Sequence, residues 1–329
     1  MSDRKNHAAM SKVEAEPAKL PDLGRPLFRS VSIQDLSVAV GLPFLFALAW
    51  TVPMAAWPRL GRAFSSLASA FVSSGEAALI AEIERYTGRQ AMARTPVDIR
   101  RELLSIYVER TLLYLRHYRP GAWSPAVTLE GAAHIETALG HGRGTVIWDS
   151  HFGFASLMTK IALHRAGHPV SHLSHPRHGF SATPFGRRRL NPIITNIETR
   201  YLRERVLLDE DQPAGSLQTL KKRLLENGVV SITVRGAARR PVTAPFLDGS
   251  LSLAAGAPYL ACETGAALLP VFTHRDEQGA WRVTVEPPLT LPEGSERSAA
   301  IAAAVAQYAQ RLEPHVRRYP GQWLGWVEK

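Results

Sequence analysis

Residues 145–154 read TVIWDSHFGF. The first four are β-branched or bulky and apolar, the texture of a short strand buried on both faces. That run breaks at Asp149-Ser150-His151. After Phe152-Gly153-Phe154 the stretch SLMTKIALHRAG, residues 156–167, spaces its apolar positions as a helix does and stops at Gly167. Strand, polar turn and helix in succession are where α/β proteins place their chemistry, outside the carboxyl end of a strand.

The same alternation continues downstream. Residues 169–173 read as a second strand, and GSLQTLKKRLLENG as a helix ending at Gly228. GVVSITV is a strand, RGAARRP (residues 235–241) a basic loop, and APFLDG a turn. A small-residue helix through SLAAGAPYLACETG follows, then strands in AALLPVFTHR and WRVTVEPPL and an alanine-rich helix from about Arg297 to Arg311. Strands alternating with helices predict an α/β fold.

Upstream, the texture differs. Residues 1–30 are polar and mixed in sign, and read as a flexible leader. From Leu36 to Pro58 the chain carries no charge, a run just long enough to cross a hydrocarbon core of about 30 Å. Pro43 and Pro53 would kink a helix there, and Trp50 and Trp57 suit an interfacial belt. The arginines on both flanks do not fix an orientation. The predicted organisation is a leader over 1–30, a hydrophobic membrane anchor over 31–62 and an α/β domain over 63–329. Within that domain, residues 95–118 open with Thr-Pro and carry Asp98 in the first turn, good signals for a helix start.

A chain of 329 residues, 45% apolar and 21% charged, is neither a disordered polar chain nor a collagen-like repeat, and it can bury a full core. Its one cysteine, Cys262, excludes an internal disulfide and a Cys-rich zinc site, so a reducing compartment is the default. Among the histidines between 164 and 178, His164 and His168 have helical spacing, but Gly167 ends the helix between them and no carboxylate completes a ligand set, so no metal is expected. A formal net charge of +10 predicts an anionic partner. Nucleic acid is disfavoured, because the arginines do not interleave with aromatics and no helix-turn-helix or RNA-binding signature is present. Anionic lipid and an acidic carrier protein remain.

Taken in order, these features resemble the lysophospholipid acyltransferase superfamily, in its lipid A biosynthesis (lauroyl/myristoyl) branch. The matching features are the apolar N-terminal run, VIWDSHFGF, the arginine-rich middle, LLENGVV, the FLDG turn before LACETGAALLPVF, and the tail RRYPGQWLGW. The resemblance implies a central mixed sheet flanked by helices. It also implies transfer of an acyl or aminoacyl group from a carrier-protein or coenzyme A thioester to a hydroxyl or amine of a lipid or glycolipid. No cofactor is implied beyond that co-substrate. The expected setting is the inner membrane, with the catalytic domain facing the cytoplasm. His151 would be the general base, its ordinary pKa of about 6.5 suiting proton abstraction at neutral pH.

Two departures qualify the resemblance. The family pairs its histidine with an acid five residues on, and here that position is Ser156. Three readings stay open. Asp149 replaces the acid, since residues two apart on an extended segment share a face; Ser156 orients the imidazole; or the chain has lost turnover and binds lipid or acyl carrier protein without catalysis. The second departure is Arg235, where the family often has an acidic residue. Together with Arg239, Arg240 and the run Arg187, Arg188, Arg189, it is a candidate to hold a phosphate of lipid or phosphopantetheine. Trp323 and Trp326 either pack the tail onto the domain or sit at the bilayer interface.

Overall fold

The computed structural model describes residues 26–28, 30–69, 74–87, 94–121, 123–209, 211–234, 241–292, 294 and 296–327. In chain order it runs through β1 (Pro26–Phe28), β2 (Val31–Ser32), α1 (Ile33–Thr51), α2 (Trp57–Ser69), α3 (Ser74–Thr87), α4 (Pro96–Arg116), β3 (Val127–Glu130), α5 (Ala132–Gly140) and β4 (Thr145–Asp149). There follow α6 (Ala155–Arg165), β5 (Val170–Ser174), α7 (Pro192–Thr199), β6 (Leu202–Leu207), α8 (Pro213–Leu225), β7 (Val229–Thr233), β8 (Pro241–Phe246) and β9 (Gly249–Ala254). The chain closes with α9 (Gly256–Thr264), β10 (Ala267–Arg275), β11 (Trp281–Val285) and α10 (Arg297–Arg318).

Seven strands form one mixed sheet in the order β3-β11-β10-β4-β7-β5-β6. Only the β10–β11 pair is antiparallel; β4 lies at the centre, parallel to both neighbours, with Thr145 opposite Val229 on one side and Ala267 on the other. All five β4 residues are buried, because helices cover both faces. On one face Val146, Trp148, Val230 and Phe272 pack with Leu220 of α8, Leu260 of α9 and Tyr308 of α10. On the other, Ile147, Leu269 and Val283 pack with Leu157 and Ile161 of α6, Ile197 of α7 and Leu112 of α4. The α/β fold with a mixed, helix-flanked sheet and an apolar N-terminal helix is thus the observed architecture.

Local signals act where expected. Thr95 caps α4 by accepting from the Asp98 N–H at 3.2 Å, with Pro96 in the first turn. Elsewhere the structure departs from the sequence reading. The small-residue helix does not begin at Ser252: residues 249–254, GSLSLA, pair with β8 as an antiparallel hairpin, and α9 begins at Gly256. The alternation of serine and leucine in that stretch has the period of a strand, which wins over its helix-favouring composition. The last helix continues to Arg318, through Pro314, rather than ending near Arg311.

Between α4, α6 and α7 lies a buried ionic cluster. Glu198 accepts from Lys160 Nζ at 2.5 Å and from Tyr114 Oη at 2.5 Å, with His178 Nε2 at 2.9 Å. Lys160 and Glu198 side chains are almost wholly enclosed. Burial alone would raise the Glu198 pKa, but the charges and hydrogen bonds of His178 and Lys160 hold it well below the usual carboxylate value. Lys160→Met leaves that carboxylate without its fully enclosed ammonium partner, and we expect it to destabilise the fold by about 3–5 kcal/mol at pH 7 in urea unfolding. A depressed folded pKa contributes stability above the unfolded value of about 4.3. The gap between wild type and variant therefore narrows as pH falls below about 4.

Candidate active site

His151 lies just beyond the carboxyl end of β4 and is held there from both sides. The ladder extends past the strand, Ser150 N–H donating to Val271 O at 2.8 Å and Val234 N–H to Asp149 O at 2.8 Å. The chain then turns and pairs with its own C-terminal segment. Leu324 N–H donates to His151 O at 2.9 Å, Gly153 N–H to Gln322 O at 2.8 Å, and Phe152 bridges to Trp323. The Gln322 amide in turn grips the Arg275 backbone, accepting from its N–H and donating to its C=O, each at 2.8 Å. Gly153 is required by close approach, since a Cβ there would come within 2.2 Å of Ile106 Cγ2 on α4.

His151 is 8% exposed and borders a cavity of about 330 Å³. The walls come from Tyr86 of α3, Leu251 and Leu253 of β9, Tyr308 and Leu312 of α10, and Trp323 and Trp326 of the tail. Trp326 Nε1 donates to Pro320 O at 2.8 Å, and both tryptophans are buried, so the tail packs onto the domain. Arg85, paired with Glu82 at 2.8 Å, gives the rim a guanidinium. A larger cleft of about 1040 Å³ lies across the tail, bordered by Phe154 and Gln322. Among the described residues no histidine lines it, and several of its charges face one another: Arg94 with Glu102 at 2.5 Å, Arg275 with Glu109 at 2.5 Å, Arg101 with Asp98 at 3.6 Å. Of the two, the smaller cavity is the one a described histidine borders.

Asp149, the expected partner of His151, is engaged on the α6 side of the sheet. Asp149 Oδ1 accepts from Thr159 Oγ1 on α6 at 3.0 Å, and Thr159 Oγ1 is 2.8 Å from Thr273 Oγ1. The carboxyl therefore faces the α6 layer, whereas His151 borders the cavity on the α10 side. The two-residue rule fails because the strand ends at Asp149 and the backbone turns to meet the tail. Burial pushes the Asp149 carboxyl up to about 7. Ser156 sits half-buried in the first turn of α6, off the cavity wall.

The arginine candidates separate. Arg187, Arg188 and Arg189 are exposed in a π-helical turn, Gly186–Leu190, against the start of α1, and do not border the cavity. Arg235, Arg239 and Arg240 lie outside the described residues, although Val234, just before them, borders the cavity. Glu263 is paired with Lys221 at 3.0 Å and Arg297 at 2.6 Å. Burial pushes the Cys262 thiol up, away from thiolate chemistry. Among the described residues no group of three or more His, Cys, Asp or Glu side chains converges as a metal-ligand set.

Tyr308 was not singled out by sequence. Its Oη is fully buried, has no hydrogen-bond partner among the described residues, and belongs to a side chain on the cavity wall beside His151. An orphaned donor in such a place is unfavourable unless a ligand atom meets it. The available signal was one large aromatic in the otherwise small-residue run AAAVAQYAQ.

A carboxyl whose folded pKa is raised costs stability once the unfolded chain ionises first. That penalty grows from about pH 4 to 7 and is level above it. Asp149→Asn keeps an acceptor for Thr159 and removes the penalty. We expect it to be more stable than wild type at pH 8 by about 2–4 kcal/mol, with the difference vanishing near pH 4 in denaturant titrations.

Comparison with curated protein sequences gave no match. The family model described as bacterial lipid A biosynthesis acyltransferase, however, matches residues 37–329. That span takes in the apolar helix, the His151 turn, the whole central sheet and the tail that braces it, and the chain belongs to this family of acyltransferases.

Proposed function

We propose that the protein transfers an acyl or aminoacyl group from a carrier-protein or coenzyme A thioester to a hydroxyl or amine of a lipid or glycolipid, with His151 as general base. The observation that carries this reading is the imidazole at the mouth of β4, bordering a mainly apolar cavity in a chain of the lipid A acyltransferase family. His151 takes the proton of the acceptor O–H or N–H as that atom attacks the thioester carbonyl carbon. The tetrahedral intermediate collapses with cleavage of the C–S bond. The proton held on the imidazolium passes to the departing sulfur, giving ester or amide plus free thiol. Tyr308, whose side chain borders the same cavity and whose buried Oη is unmatched, is assigned to the carbonyl oxygen as negative charge develops there. The apolar walls exclude water, which would otherwise hydrolyse the thioester.

The net charge of +10 supports an acidic carrier protein as donor and an anionic lipid surface as the place of work. An inner-membrane location with the domain on the cytoplasmic side agrees with a thioester donor and a single cysteine. The second reading, a binding protein without turnover, is favoured by two facts: Asp149 is hydrogen-bonded to Thr159, and position 156 carries no acid.

Thiol release from acyl-carrier-protein and acyl-coenzyme A, with lipid acceptors in mixed micelles, tests the assignment. His151→Ala is expected to lower kcat by about 10²–10⁴-fold, and Tyr308→Phe by about tenfold with little change in KM. Ser156→Glu, which restores the family acid, is expected to raise kcat. A rate unchanged in His151→Ala overturns the base assignment. Absence of turnover in every variant, with binding of lipid or carrier retained, supports the second reading.

A further inference from the structure

Helix α3 contributes Glu82, Arg85 and Tyr86 to the wall of the cavity that His151 borders. Spacings of three and four residues put all three on one side of the helix. Tyr86 docks that side. Its Oη donates to Ser250 O at 2.6 Å, and its backbone carbonyl accepts from Asp248 N–H at 3.1 Å. The ring meets Trp326 edge-on at 5.9 Å, and it lies so close to Gly249 that a Cβ there would stand 3.0 Å from it. The tail segment that receives Tyr86 also donates Leu324 N–H to His151 O at 2.9 Å. Glu82, one turn ahead of Tyr86, and His151 are thus fixed to a common support and border one cavity.

Among the described residues that border this cavity, the ionisable groups are Glu82, Arg85 and Tyr86 of α3, His151, and Tyr308 of α10, so its carboxylate is Glu82. Arg235 follows Val234 outside the described residues. Acids elsewhere in the domain have other partners: Asp149 accepts from Thr159, Glu109 pairs with Arg275, and Glu286 pairs with Arg311 and His315. Arg85 pairs with Glu82 at 2.8 Å, but the two are unequally placed. The arginine side chain is 63% exposed and its guanidinium lies over the Tyr86 ring at 4.9 Å, whereas the glutamate side chain is 20% exposed. The cation is therefore the more solvated and more screened of the pair, and the carboxylate is the inner member. A cavity of about 330 Å³ is only about twice the size of one that holds a benzene molecule. Charges on two of its walls are separated by little water and act on each other strongly.

We propose that Glu82 is the positioning residue of His151, supplying from α3 the negative charge that Ser156 does not. The role rests on the reading of His151 as general base. Glu82 takes no proton. Its charge stabilises the imidazolium that exists between uptake of the acceptor proton and delivery of that proton to the departing sulfur. An NMR titration of the full chain with isotope-labelled histidine, in detergent micelles, reads this charge without needing turnover; His151→Gln assigns the resonance. An opposite charge nearby favours the protonated ring, so in Glu82→Gln His151 is expected to titrate about 0.5–1 pH unit below wild type. Adding Arg85→Ala to that variant is expected to keep most of the difference, because the carboxylate is the inner charge. An unmoved titration, or one restored to wild type in the double variant, overturns the proposal. In thiol-release assays Glu82→Gln is expected to lower kcat by about 10–100-fold with KM changed less than about twofold, and Glu82→Asp to recover most of the loss. A loss confined to KM, or a wild-type kcat, refutes the positioning role. If the titration moves but His151→Ala is as fast as wild type, the fault lies with the base assignment. If His151→Ala is slow and the titration does not move, it lies with Glu82.

Discussion

The geometry of the His151 turn depends on a single pairing between distant parts of the chain. Neither partner is regular structure alone. Residues 150–154 have left β4 and have not yet entered α6, and residues 320–326 are two short turns after α10. Their backbone polar groups are buried, and buried amides left unpaired would be costly. Pairing His151 and Gly153 with Leu324 and Gln322 satisfies them together, and the Gln322 amide fastens the arrangement to β10. The turn is therefore rigid because it is shared, and the cavity inherits two of its walls, Trp323 and Trp326, from the partner that braces it.

This arrangement also separates the two sides of the sheet chemically. On the α6 side sit the buried groups that answer one another: Asp149 with Thr159, Lys160 with Glu198, Tyr114 and His178 around them. On the α10 side His151 borders a cavity that Tyr308 also lines, and the Tyr308 hydroxyl is buried without a hydrogen-bond partner among the described residues. Buried polar groups that are mutually satisfied specify structure. Buried atoms without such a partner border both cavities, Tyr308 Oη beside the smaller and Trp281 Nε1 beside the larger, and among the described residues only the smaller is also bordered by a histidine.

Much of the fold was legible because its core strands advertise themselves. The runs TVIW, GVVSITV and AALLPVF are apolar end to end, as strands covered on both faces must be. The edge strands β3 and β6, VTLE and LRERVL, were not read as strands, since half-solvated positions carry charge there. The β8–β9 hairpin was hidden by its alanines and by Leu247, which takes the left-handed φ of 53° that a glycine or asparagine usually signals. His151 was evident from its place after a buried strand. The direction of Asp149 was not, because it depends on where the strand stops. Tyr308 and Arg85 reach the cavity only through the packing of α10 and α3, which no local pattern encodes.

The two tethers of α1 carry a mechanical corollary. With Asp35 bound to the 180–186 loop and Arg116 bound to the helix's far end, the apolar helix is fastened to the sheet domain at both ends. Any surface that oriented the helix would thereby orient the sheet and the cavity beyond its strand ends.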